Sequence, residues 1–160
     1  MQLATAVSAT GLSFTEPVRS LLSQKSPTVW WVSPHETVFL AIQLMSVRQV
    51  GALMVLSDGQ LSGIVSERDY ARKVILQGRN SQSTLVSEIM TTPVLFVTPE
   101  QTIQNCMKLM TTRRIRHLPV VEQDKVIGVV SIGDIVNWIV SSQQETIQHL
   151  HSYINGSYPG

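Results

Sequence analysis

The chain has 160 residues, of which 43% are hydrophobic and only 14% charged, and its formal net charge is +1. That length suits one compact domain or a tight pair of small ones. The near-zero charge argues against nucleic-acid binding, which needs a basic excess, no apolar run is long enough to span a bilayer, and the low charged fraction implies that a partner or a ligand covers part of the surface.

Residues 1–16 are small, polar and weakly patterned, and are expected to form an N-terminal arm. Met1 to Thr15 carries no basic residue and no long apolar core, unlike a secretory signal or an Arg-rich transit peptide. Pro17 to Leu22 can open a short helix with Pro17 in its first turn. Val29 to Val32 is a β-type run ended by Ser33-Pro34. From Thr37 the apolar residues Val38, Ala41, Ile42, Leu44 and Met45 keep a helical period. Val50 to Leu56 and Leu61 to Ser66 read as strands around a turn with Asp58-Gly59 at its centre. A helix follows through Tyr70, Val74 and Ile75, and Gly78 ends it. After a polar linker, Leu85 to Met90 makes a short helical turn.

The same order then returns. Val94 to Pro99 copies Val29 to Pro34, a helix runs from Thr102, and Ile115 to Val121 and Val126 to Ser131 pair around Glu122 to Lys125. The last helix starts near Asp134, and Val140 to Tyr153 continues it with Gln143, Gln144, Glu145 and Gln148 on its wet side. Residues 155–160 read as loop. Residues 29–70 align with 94–135 at a constant offset of 65 positions. Among the identical pairs are Thr37/Thr102, Arg48/Arg113, Gly63/Gly128, Ser66/Ser131 and Asp69/Asp134. A unit this small cannot bury its apolar face alone, so two should pack together about a pseudo-twofold axis.

Each repeat closes on a strand that stops at a serine, with an aspartate three residues on: Gly63-Ile64-Val65-Ser66-Glu67-Arg68-Asp69 and Gly128-Val129-Val130-Ser131-Ile132-Gly133-Asp134. The first amides of the following helix lack internal partners and the dipole is positive there, which suits a phosphate. The serine hydroxyl can donate to the same phosphate. A carboxylate one turn on can accept from two ribose hydroxyls. Ser-x-x-Asp at a helix start is also a capping arrangement, and the two roles are compatible.

The tandem repeat, the G-h-h-S-x-x-D endings (h apolar) and the run His117-Leu118-Pro119-Val120-Val121 resemble the cystathionine-β-synthase (CBS) domain pair, over roughly residues 17–140. Ser66 to Arg79 is similar to a subgroup of small proteins that are little more than one CBS pair, with bacterial and plant mitochondrial members. The resemblance implies an α+β fold of tandem strand-helix-hairpin-helix units, each a small three-stranded sheet with helices on one face. The expected organisation is an arm at 1–16, repeats at 17–79 and 80–140, and a C-terminal helix and tail at 141–160. It also implies a regulatory module that binds AMP, ADP, ATP or NAD in clefts between the repeats, pairs into a homodimer, and passes the signal to an unknown regulated protein. The plant members are regarded as regulators of thioredoxin-type redox proteins.

The candidate nucleotide-binding residues are Ser66, Arg68, Asp69, Arg116, His117, Pro119, Ser131 and Asp134. Ser26 and Thr92, just before the first strand of each repeat, are candidates for the adenine edge. Arg72, Lys73 and Arg79 read as a solvated face, and Arg48 and Arg113 as structural in both repeats. The repeats differ at Glu67-Arg68 against Ile132-Gly133, at Gly51-Ala52 against Arg116-His117, and at Met54 against Pro119, so unequal clefts are expected.

No catalytic or metal constellation is visible, and the four histidines lack zinc-site spacing. Cys106 lies on an apolar helix face opposite Ala41 in the alignment, which favours packing. A single cysteine fits a reducing compartment, and the expected location is the cytoplasm. The alternative reading is an interaction scaffold that binds no nucleotide.

Overall fold

The computed structural model describes residues 15–154. The expected loop at 155–160 and most of the expected arm lie outside them. Helix α1 (Val18–Leu22) is followed by β1 (Trp31–Val32), α2 (Val38–Arg48), β2 (Ala52–Ser57), β3 (Gln60–Ser66) and α3 (Glu67–Tyr70), which widens into a π turn at Ala71–Ile75. Then come α4 (Val86–Ile89), α5 (Ile103–Arg113), β4 (His117–Glu122), β5 (Lys125–Ser131) and α6 (Ile132–Ile154). This is the mixed helix–strand repeat that the sequence implies.

Equivalent residues build equivalent joints. Thr37 Oγ1 accepts from the Leu40 amide at 3.3 Å, and Thr102 Oγ1 accepts from the Asn105 amide at 3.1 Å, so both central helices start on a threonine cap. Both end on a left-handed residue, Gln49 at φ 55° and Arg114 at φ 54°. Both hairpins turn through two positive-φ residues, Asp58-Gly59 and Gln123-Asp124, as a two-residue hairpin of this twist requires.

The sheets are not equal. In the first repeat β1, β2 and β3 form three strands, with β1 parallel to β2. In the second only β4 and β5 pair, and the expected strand at Val94 to Pro99 is reduced to a single bridge between Val97 and Val120. The cause is one residue. Met54 N–H donates to the Trp30 carbonyl at 3.1 Å. Pro119 stands at the equivalent position and has no N–H to give. What survives is Val97 N–H to Pro119 O at 3.0 Å and Val121 N–H to Val97 O at 2.8 Å.

Two cores form, and they cross the chain order. Val18 and Leu21 of α1 are buried with Val97, Ile103, Cys106, Met110, Leu118 and Val130 of the second repeat. Val86 and Ile89 of α4 are buried with Val38, Met45, Leu53, Val65 and Val74 of the first. Each preceding helix therefore seals the other half. The chain is tied in place by Val18 N–H to Gln101 O at 2.8 Å and Val38 N–H to Thr84 O at 2.8 Å. Glycine makes both contacts possible. A Cβ on Gly128 would stand 2.8 Å from Leu22 Cδ2, and one on Gly63 would stand 2.5 Å from Met90 Sδ.

Candidate functional site

Strand β3 ends at Ser66, which caps α3 because its hydroxyl can accept an amide that the helix leaves unpaired. Ser66 Oγ accepts from the Asp69 amide at 3.1 Å, and Asp69 Oδ2 accepts from the Ser66 amide at 3.0 Å. Ser66 Oγ also donates to Oδ2 at 3.0 Å. The other oxygen, Oδ1, faces Lys73 Nζ at 3.0 Å and accepts from Thr91 Oγ1 at 3.4 Å. Lys73 Nζ donates as well to Ile89 O at 2.9 Å. Asp69 is thus buried with both oxygens engaged.

The second motif repeats the cap and changes the rest. Ser131 Oγ accepts from the Asp134 amide at 3.1 Å, and Asp134 Oδ2 accepts from the Ser131 amide at 2.8 Å. The residue four positions on is Trp138, not lysine. The cation comes instead from Lys25, whose Nζ donates to Asp134 Oδ2 at 2.7 Å and to Val129 O at 2.8 Å. Asp134 Oδ1 has no hydrogen-bond partner among the described residues, and its side chain is 23% exposed. Burial pushes this carboxyl up, but the bonds from Lys25 and Ser131 outweigh it and hold it below the usual carboxylate range. Trp138 buries its indole Nε1 without a partner among the described residues.

A pair of equivalent bonds brings the hairpins to these helix starts. Glu67 N–H donates to Gly51 O at 3.0 Å, and Ile132 N–H donates to Arg116 O at 2.9 Å. His117 pairs with Ser131 in the β4–β5 register. The structure therefore gathers Arg116, His117, Ser131 and Asp134 in one place. His117 is half-buried, and its Cε1 lies 3.7 Å from where a Cβ on Gly51 of the other repeat would be. Burial lowers its pKa, Asp134 opposes that, and Lys25 and Arg116 add to it. Arg68 reaches across from the first repeat, with Nη1 donating to Arg114 O at 3.4 Å. A cleft of about 570 Å³ lies there, lined by Arg68, Arg72, Arg114 and Arg116 with Met110, Thr111, Ile115 and Ile132.

The remaining candidates are placed apart. Ser26 is exposed and bonds Thr28, with 2.9 Å between their hydroxyl oxygens. Thr92 is exposed, and its neighbour Thr91 is the threonine that reaches Asp69. The offset of 65 pairs Ser26 with Thr91, a signal present in the sequence. Pro119 is buried inside β4. Of the residues read as a solvated face, Lys73 closes on Asp69, Arg79 pairs with Glu88 at 2.7 Å, and Arg72 lines the cleft. Arg48 lies 4.0 Å over the Trp30 ring, a structural role. Trp31 is exposed, whereas Trp30 packs on the first core. Cys106 is fully buried, and burial pushes its thiol up to about 11.

Comparison with known proteins fits this architecture. The CBS domain family matches twice, at residues 18–75 and 86–141. The Arabidopsis thaliana protein CBSX3, described as mitochondrial, is 46% identical over 133 residues. That match covers 80% of this chain but 65% of CBSX3, so the chain spans less than two thirds of that relative's length. A protein with CBS domains from Burkholderia ambifaria MC40-6 is 46% identical in a solved structure with a TM-score of 0.78, covering 80% of this chain and 96% of that one. The CBS domain pair of protein MJ0100, solved in complex with 5′-methylthioadenosine and S-adenosyl-L-methionine, shares the fold with a TM-score of 0.71 at 21% identity, covering 79% of this chain and 98% of that one. Two matched repeats, closing on two Ser-x-x-Asp motifs, place this chain in the CBS-domain family.

Proposed function

We propose that the protein is a non-enzymatic regulatory module that senses an adenosine nucleotide (AMP, ADP, ATP or NAD) and passes the binding event to a partner. The observation that carries this reading is Asp134: a partly exposed carboxylate with one oxygen open, one helical turn from Ser131 and beside Arg116 and His117. The open oxygen can accept from a ribose diol, and the helix start and Ser131 hydroxyl can meet a phosphate. Asp69 lacks that freedom, so the Asp134 side is the tighter site and the Ser66–Arg68–Asp69 side the weaker one. Ser26, Thr92 and Pro119 make no direct ligand contact in this reading. The bound adenosine compounds of the MJ0100 pair are compatible with such a cleft in this fold.

Calorimetric titration with AMP, ADP, ATP and NAD tests the reading. It predicts close to one nucleotide per chain in the tighter class, and loss of that class in Asp134→Asn with the fold kept. A folded protein silent to all four ligands would leave the scaffold reading, in which partner binding is indifferent to Asp134.

A homodimer belongs to the same proposal. Ile132, Val136 and Val140 follow one another at four-residue steps along α6 and are 37%, 51% and 45% exposed. That stripe suits a second copy of the same face. Val136→Glu should shift the dimer to monomer in light scattering. A cytoplasmic location rests on the lone buried thiol, and fractionation of tagged protein checks it against the mitochondrial location given for CBSX3.

A further inference from the structure

Four of the chain's twelve lysines and arginines line the cleft of about 570 Å³, and no carboxylate lines it. Among the described residues Arg72, Arg114 and Arg116 make no ion pair, and Arg68 bonds only the Arg114 carbonyl. Crowding like charges in one hollow is unfavourable unless an anion compensates them. The fold does not demand the crowding. At the equivalent positions of the other repeat stand Gly133, Asn137, Gln49 and Gly51, which are all uncharged. Each equivalent position is filled without a charge in the other repeat, so the shared strand-helix framework does not call for these arginines.

The cleft is placed between the two Ser-x-x-Asp motifs. Arg68 lies inside the first, and Ile132 directly follows the serine of the second. Its volume falls within the roughly 300–1,000 Å³ usual for small-molecule sites, well beyond a single ion. A monophosphate, with about two negative charges, leaves half of the four guanidinium groups unmatched. A longer phosphate chain matches more of them, and guanidinium forks suit phosphate oxygens.

We propose that this arginine cleft takes a chain of two or more phosphates, and so makes the module favour nucleoside di- and triphosphates over monophosphates, with Arg72 and Arg114 as the residues that set the preference. This rests on the adenosine-nucleotide reading for the nucleoside half of the ligand. The phosphate chain can come from a nucleotide or from free polyphosphate, and the two sources are separable.

The test is calorimetry on the full chain, free of divalent cations and at fixed ionic strength, with AMP, ADP, ATP and inorganic tripolyphosphate. Affinity should rise from AMP to ATP by on the order of 10-fold or more, as charge-assisted contacts are added. Tripolyphosphate should compete with ATP. Arg72→Gln and Arg114→Gly, each checked by thermal melting, should collapse the ATP-to-AMP ratio toward one. Gln49→Gly, on the uncharged side, should leave the ratio alone. Equal affinity for AMP and ATP overturns the cleft and leaves the adenosine reading standing. Tripolyphosphate binding with no gain from adenosine keeps the cleft and removes the adenosine reading. Binding of a polyglutamate peptide without any binding of tripolyphosphate overturns the proposal in favour of an acidic protein segment.

Discussion

Lys25 and Asp134 are 109 residues apart in sequence, yet Nζ and Oδ2 meet at 2.7 Å. In the first repeat the same task falls to Lys73, one helical turn beyond Asp69. The second repeat has Trp138 at that position, packed on its core. The segment before β1 therefore supplies the missing cation and ties the start of the chain to the second motif. With side chains 34% and 23% exposed, water screens the pair. Lys25→Met should cost about 1 kcal/mol. Urea denaturation of Lys25→Met, Asp134→Asn and the double variant gives the coupling. Strict additivity would mean the pair contributes nothing to stability.

The pH dependence follows from His117 and Asp134, whose folded pKa values both lie below their ordinary ones. A lowered folded pKa means that the fold favours the deprotonated form, so each contribution is complete at high pH and lost as pH falls. For His117 the contribution is complete above the ordinary value of about 6.5 and declines below it. For Asp134 the loss begins below about 4. The melting temperature should therefore fall in two stages on acidification. His117→Gln should remove the upper stage, and Asp134→Asn the lower. A wild-type profile flat between neutrality and pH 5 would contradict the burial of His117.

The fold was legible because the two repeats keep one offset. Thr37 and Thr102, Gly63 and Gly128, and the two Ser-x-x-Asp endings could each be checked against a copy, and each pair makes the same cap or close contact. What differed could not be checked that way. Pro119 was visible as a departure from Met54, but its effect depends on a donor meeting Trp30 across strands. The Lys25–Asp134 pair joins residues far apart in sequence, and no local pattern announces such a contact. Arg72 and Arg114 look like ordinary surface residues, one in the π turn after α3 and the other at the end of α5. Only the packing of one repeat on the other brings them to the same cleft.

Gly128 offers a direct test of the crossed cores. A methyl group there would press on Leu22 of α1, within 2.8 Å of Cδ2. Leu22 must shift or the helix must lift, so Gly128→Ala should cost about 1–3 kcal/mol. Leu22→Ala alone should also destabilise, by opening a gap. Together the two should cost clearly less than the sum, because each relieves the other. Denaturant midpoints for the three variants would decide. Additive losses would mean that α1 does not sit on β5 in solution.

Gln49 and Arg114 close α2 and α5 in the same left-handed conformation, at φ 55° and ψ 46°, and φ 54° and ψ 45°. Glycine is the usual residue there, since a Cβ costs roughly 1–2 kcal/mol in that region. Part of any gain from glycine is offset by the greater freedom of the unfolded chain. Gln49→Gly should therefore raise stability by about 0.5–1 kcal/mol, read from the denaturant midpoint. Arg114→Gly should gain at least as much, because it also removes one of the crowded guanidinium groups. The gain comes with loss of phosphate-chain preference, so a stabilising substitution would weaken ligand discrimination. If Gln49→Gly stabilises and Arg114→Gly destabilises, the Arg114 side chain has a structural task. The arginines could then no longer be attributed to a ligand alone.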